Sequence, residues 1–173
     1  IKMTQISHIT SKDIHKVEKI GKICLPIYYQ ASDLLFLLFD NNYIMFKITN
    51  SINEIMGFLV AKKKFHECHQ YEDDDSNDLN FFGKNTMPII RFHIMSIGIL
   101  PKYRKQGLAS LLIDELKNHI EKKYKYFIKM SLFVLTNNEA AIKLYEKNKF
   151  RKIFCNDNYY ESLPVKSAYY YET

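Results

Sequence analysis

The stretch from residue 89 to residue 135 constrains the fold more than any other. "IIRFHIMSIGIL" (89–100) is a long β-type run, and "PKYRKQGLA" (101–109) breaks it with a turn carrying three cations. Residues 105–123 then place Leu108, Leu111, Leu112, Leu116 and Ile120 on one helical stripe. "FIKMSLFVL" (127–135) is β-type again. A strand, a helix and a strand in that order form a crossover, which joins parallel neighbours. The chain is therefore expected to build a sheet with helices packed on it.

The flanking sequence extends this frame. A short strand is expected from Met3 to Ile9, and Thr10-Ser11 offers an N-cap to a helix with Ile14, Val17, Ile20 and Ile23 inward. Pro26 ends or bends that helix, and Ser32 opens a second one with Leu34, Leu35, Leu37 and Leu38. Tyr43–Ile48 and Glu54–Lys62 read as strands around the turn residues Thr49-Asn50-Ser51. After residue 135, a helix is expected from Asn138 to Asn148, then strands at Phe150–Phe154 and Ala168–Tyr171. The order β-α-α-β-β-β-α-β-α-β-β is an α/β (α+β) class fold. It has a mixed sheet of about seven strands and about four helices, with parallel pairing expected at both helical crossovers. At 173 residues, without repeat or linker, the chain reads as one domain over 1–173.

Charge narrows the partners without choosing one. Twenty-five lysines and arginines against nineteen acids give +6, which favours something anionic. Nucleic acid is not expected, because the cations are dispersed and the acidic run Glu72-Asp73-Asp74-Asp75 opposes them. That run belongs to a long polar excursion at 66–86. His66, Cys68 and His69 sit together there, but no second cluster completes a metal site, so no metal is expected. Cys24, Cys68 and Cys155 are an odd, scattered set, which argues for reduced thiols and a cytoplasmic setting. No 18-residue apolar run spans a membrane, and neither end reads as a signal peptide. The chain begins at Ile1 without methionine, as a trimmed chain would.

The basic turn admits two readings. One is a solvated helix start, which explains Arg104 and Lys105 but gives no use for Gly107, costly inside a helix by ~1 kcal/mol. The other is a pyrophosphate pocket. Outward N–H groups at a helix N-terminus carry partial positive charge, Gly107 lets a ligand approach the backbone, and Ala109 keeps the next turn slim.

With its order of elements, Arg104-x-x-Gly107-x-Ala109, and Asn138 and Tyr145 in "TNNEAAIKLYEKNKF", the chain resembles the GCN5-related N-acetyltransferase superfamily along nearly its whole length. Within it, "LPIYY" (25–29), "IMSIGILPKYRKQGLASLL" (94–112) and "NDNYYESLP" (156–164) resemble the NatE and NatF protein N-terminal acetyltransferases. The membrane-binding tail of NatF enzymes has no counterpart in these residues.

The resemblance implies acetyl-coenzyme A as cofactor and a free α-amine of a protein or peptide as acceptor, such as methionine followed by a hydrophobic residue. It implies cofactor contacts from Ile97, Gly98 and Ile99, from Arg104, Lys105, Gln106, Gly107, Leu108, Ala109 and Ser110, and from Asn138 and Tyr145. A bulge at Gly98 is expected to splay the fourth strand from the fifth. Tyr145 would protonate, or donate a hydrogen bond to, the departing sulfur. Leu25, Pro26, Ile27, Tyr29, Met95, Tyr159 and Tyr160 would hold the acceptor.

The chain departs from those relatives at the base. Their tyrosine and histidine positions are His93 and Phe133 here, so His93 is expected to take over proton removal, on one face with Met95 and Ile97 and opposite Phe92, Ile94 and Ser96. Two other activities stay open: acetylation of a lysine or small amine, and a weakly active cofactor-binding subunit. Docking on a ribosome or an auxiliary subunit stays open too.

Overall fold

The computed structural model describes residues 4–66, 89–124 and 128–173. His66 closes a strand, whereas Cys68, His69 and the acidic run lie outside the described residues. Seven strands form one sheet: β1 (Gln5–His8), β2 (Tyr43–Thr49), β3 (Ile55–His66), β4 (Ile89–Ile99), β5 (Ile128–Leu135), β6 (Arg151–Asn156) and β7 (Ala168–Glu172). Among the described residues four α-helices accompany them: α1 (Ile14–Cys24), α2 (Ala31–Phe39), α3 (Leu108–Lys123) and α4 (Glu139–Lys147). No helix among the described residues is long and apolar enough to cross a membrane.

The spatial order is β1-β2-β3-β4-β5-β7-β6. Among the described residues only β4 and β5 pair in parallel; every other pair is antiparallel. The sheet is mixed, as the crossover through α3 requires. The crossover through α4 gives no second parallel pair, because β7 inserts between β5 and β6 and runs against both.

Two apolar clusters cover the two faces. Ile14, Val17 and Ile20 of α1 and Leu34 and Leu37 of α2 pack on Met45, Ile55, Phe58 and Val60. Leu108, Leu112, Ile113, Leu116 and Ile120 of α3 pack with Phe46, Leu59, Phe92, Ile94 and Leu132 on the other face. Three expected core leucines and isoleucines go outward instead: Ile23, Leu35 and Leu111 are exposed. In α3 the inward position falls to Ile113, one residue round the helix from the expected stripe.

Helix α3 also starts later than its apolar pattern suggests. Lys105 has φ 60 and Gly107 φ 78, so neither can belong to a right-handed helix, and Gly107 becomes the N-cap.

Candidate active site

Pairing between β4 and β5 stops at Ile94 and Leu132, although β4 continues to Ile99 and β5 to Leu135. The strands part there and leave a fork. Leu100 N–H donates to Met56 O at 2.9 Å, so alternation along the antiparallel ladder turns Gly98 toward β3. Ile97 and Ile99 consequently direct their N–H groups to the open side of β4. Ile99 O, on that side, accepts from Arg104 Nε at 3.0 Å and from Cys24 Sγ at 3.2 Å.

The bulge expected at Gly98 lies at Met95. Val60 pairs Ser96 and Ala61 pairs Ile94, so Met95 faces no partner on β3. Gly98 has a packing reason instead: a Cβ there would stand 3.0 Å from the Phe58 ring and 3.2 Å from Cys24 Cβ. The extra residue also corrects the expected parity. Ile97 joins Phe92 and Ile94 on the α3 face, while His93 stays opposite them.

At the turn after β4, Arg104, Lys105, Gln106 and Gly107 are all exposed. Positive φ at Lys105 and Gly107, with Gln106 between, is the alternation that curls successive N–H groups toward a shared concavity. The free N–H groups of the first turn of α3 lie beside it. A Cβ on Gly107 would meet nothing within 4 Å. Glycine is therefore required by its left-handed backbone, not by crowding within the chain. Leu108 is anchored in the core, and Ala109 and Ser110 are half-buried. Ser110 Oγ accepts from Asn148 Nδ2 at 3.0 Å.

Glu54 fixes the approach to this turn. One carboxylate oxygen takes Lys102 Nζ at 2.7 Å and the other Tyr103 Oη at 2.5 Å, holding the two residues before Arg104. Asn138 caps α4, its Oδ1 accepting from Ala141 N–H at 3.2 Å, and is exposed. Its Nδ2 has no partner among the described residues.

His93 is buried on β4, with Nδ1 3.0 Å from Ser131 Oγ on the neighbouring strand. Burial, helped by the charges of Lys64 and Arg91, lowers its pKa to about 4. Nε2 has no partner among the described residues. The His93 ring meets Phe133 edge-on at 5.7 Å, and Phe133 stacks on Tyr159 at 3.8 Å.

The tyrosines converge. Tyr159 packs edge-on to Tyr160 at 4.7 Å. Burial raises the pKa of Tyr160 to about 12, with added effect from Tyr159 and Tyr29. Tyr145 is almost wholly buried against Phe150; burial, and then Tyr160, push its pKa well above the usual phenol value. Tyr29 is raised by burial, then by Tyr43, Tyr159 and Asp33. The α1–α2 loop, the β6–β7 hairpin and α4 thus bring their tyrosines within electrostatic reach of one another. Of the loop residues, Leu25 and Tyr29 pack on the cluster beneath α1. Pro26 and Ile27 remain exposed, and Met95 is half-exposed at the bulge.

Sequence reasoning missed Ser131, Cys24 and Glu54. Ser131 was findable, because it lies two residues before Phe133 on the same face of β5. The Cys24 and Glu54 contacts join residues 75 and 49 positions apart, and no local pattern signals them.

Comparison with known proteins agrees with this geometry. N-alpha-acetyltransferase 60 of Xenopus tropicalis is 30% identical over 171 residues, 97% of this chain and 68% of that protein. That of Danio rerio is 29% identical over 150 residues, covering 86% and 60%. The chain thus spans about two thirds of the length of these relatives. Arabidopsis thaliana NAA60, solved in complex with acetyl-CoA, superposes with a TM-score of 0.79 at 19% identity, over 99% of this chain and 98% of that one. Arabidopsis thaliana Naa50, with a bisubstrate analogue, gives 0.75 at 19% identity over 98% and 97%. The model of the acetyltransferase (GNAT) family matches residues 15–150, and the chain belongs to that family.

Proposed function

We propose that this chain is an acetyl-coenzyme A-dependent N-terminal acetyltransferase, moving an acetyl group to the free α-amine of a protein or peptide. The observation that carries the reading is the fork after Ile94 and Leu132, with the Ile97 and Ile99 N–H groups open beside a turn of alternating φ. Acetyl-coenzyme A supplies an acetyl group activated as a thioester, together with a pyrophosphate and a peptide-like arm.

The residues present fit that donor. N–H groups from Gln106 to Ser110 meet the pyrophosphate, and Arg104 and Lys105 add charge at the rim. Ile97 and Ile99, with Gly98 between them, pair with the amides of the arm as a strand edge pairs with a peptide, and offer donors to the thioester oxygen. Asn138 has Nδ2 to give the arm. Tyr145, kept protonated by burial, donates to the sulfur.

Leu25, Pro26 and Ile27 line the pocket for the acceptor's first side chain, which supports methionine followed by a hydrophobic residue. Tyr29, Met95, Tyr159 and Tyr160 close around its backbone.

His93 has a narrower role than that of a strong base. An α-ammonium with pKa near 8 loses its proton to water at pH 7 for ~1.4 kcal/mol. Passing it to an imidazole of pKa about 4 costs about 5 kcal/mol. The proton therefore leaves to water, and His93, neutral throughout, accepts a hydrogen bond that orients the amine.

A cytoplasmic setting is part of the proposal and is supported by the cysteine pattern alone. For an auxiliary subunit or ribosome, the support is α2, which turns Phe36 and Phe39 outward at 73% and 77% exposure.

The test is incubation with acetyl-coenzyme A and peptides whose α-amine is free or blocked. Acetylation of free peptides only is expected. Acetylation of blocked lysine peptides, or tight donor binding without turnover, would replace the proposal.

A further inference from the structure

Among the described residues, the α1–α2 layer packs on only part of the sheet face that carries His93. The cluster beneath α1 and α2 draws on β2 and β3 and contains nothing from β5, β6 or β7. On the rest of that face, register aligns the side chains in rows. Lys64, Arg91 and Lys129 stand side by side across β3, β4 and β5. The next row is Lys62, His93, Ser131, Glu172 and Arg151. Beyond it come Phe133, Tyr170 and Phe154, in ring contact with one another.

The first two of these rows thus hold five cations and one carboxylate. Glu172 bonds Arg91 at 2.8 Å and Lys129 at 2.6 Å, and so is already shared. Lys62 sits over the Tyr43 ring, and Lys64 and Arg151 are exposed without an ion pair among the described residues. The field reaches the site: after burial, Lys64 and Arg91 are what depress the protonation of His93.

We infer that this cationic half-face binds acidic side chains of the acceptor polypeptide, downstream of the residues held in the cleft. The inference rests on the N-terminal acetyltransferase reading and names a substrate class for it. An amine seated at the fork has α1 and α2 on one side and the Tyr159 hairpin on the other. The chain behind it leaves over the strands beyond the α1–α2 cluster, where His93 and Ser131 lie buried and Lys64 and Arg151 are exposed. From Ile94 and Leu132 to Arg91 and Lys129 is three strand positions, roughly 10 Å. An extended acceptor spans ~3.3–3.6 Å per residue, so its fourth to sixth residues lie over the cations. Carboxylates there meet Lys64 and Arg151, exposed and without an ion pair among the described residues, and lysines there meet repulsion.

The test uses three peptides with the same first three residues and glutamate, glutamine or lysine at positions four to six. KM is expected to rise from glutamate to glutamine to lysine, about fivefold per step at low salt, with a common kcat. The steps should shrink at about 0.5 M salt, where screening is short-ranged. The double variant Lys64→Glu/Arg151→Glu should invert the order, a comparison made within one protein and so independent of its stability. Equal KM values, or an unchanged order in the double variant, would overturn the inference while leaving the acetyltransferase reading intact. Sedimentation with vesicles containing anionic lipid, lost in the double variant while the KM order is flat, would assign the face to lipid instead and overturn it too. If none of the peptides is acetylated, the acetyltransferase reading itself falls.

Discussion

His93 Nδ1 and Ser131 Oγ face each other at 3.0 Å across the parallel pair β4–β5, one position before the pair divides. The bond fixes the imidazole plane and leaves one ring nitrogen for the acceptor. Because the ring stays neutral above pH ~5, the acidic limb of kcat/KM should follow the acceptor's own amine. It should rise about tenfold per pH unit up to the amine pKa near 8. No inflection is expected near 6.5, the ordinary histidine value; a plateau beginning there would give His93 the stronger base role. His93→Phe should lower kcat about tenfold at every pH from 6 to 8 by loss of one hydrogen bond, and wild-type turnover in that variant would remove the residue from the mechanism.

The same burial sets an acid sensitivity. The folded pKa of His93, about 4, lies below its unfolded value of 6.5. Between these values the unfolded chain binds the additional proton, so stability falls as pH drops from 6.5 toward 4 and this contribution levels off below that. The loss is of order 3 kcal/mol. Urea titrations of His93→Gln should show a shallower decline than wild type across that window; parallel declines would contradict the assignment.

Gly107 should resist substitution for a backbone reason. Gly107→Ala places a Cβ at φ 78, a strain of roughly 1–2 kcal/mol, and should weaken acetyl-coenzyme A binding in calorimetry. Gly107→Asn, which tolerates the left-handed region better, should recover most of the stability. An alanine variant with wild-type stability and affinity would mean that the turn relaxes freely.

Glu54 touches neither reactant but holds Lys102 and Tyr103. Glu54→Gln should raise KM for acetyl-coenzyme A about threefold with kcat unchanged, as expected for loss of an exposed charged contact. A fall in kcat at constant KM would place its effect elsewhere.

Tyr145 is held protonated by burial. Tyr145→Phe removes a donor at nearly constant volume and should lower kcat about tenfold, with acetyl-coenzyme A binding little changed. Unaltered turnover would leave Tyr145 as packing for α4.

The β4–α3–β5 unit was legible because periodicity switches from two to 3.6 and back, and because Arg104, Gly107 and Ala109 sit at the switch. The site's outline followed from that. Its details did not, and the reasons differ. A one-residue bulge at Met95 leaves no trace in a uniformly apolar strand, so the facing of Ile97 was misread. The left-handed φ of Lys105 has no sequence signature, since lysine seldom adopts it. The insertion of β7 between β5 and β6 is decided by pairing across distant segments, not by pattern in either strand. His93 was found, but its proton affinity is set by burial and then by Lys64 and Arg91, which only folding brings around it.

The unpaired position at Met95 separates two kinds of change that a mutational scan would otherwise merge. Replacing its side chain alters the surface at the bulge; removing the residue would let Ile94 and Ser96 follow one another as Ala61 and Val60 do, with Ser96 to Ile99 still in register on β3. What would be lost is the bend that an extra residue gives a strand, and with it the parting of β4 from β5 that leaves the Ile97 and Ile99 amides an edge on which a donor could dock. At this point chain length, more than side-chain identity, is what the active site depends on.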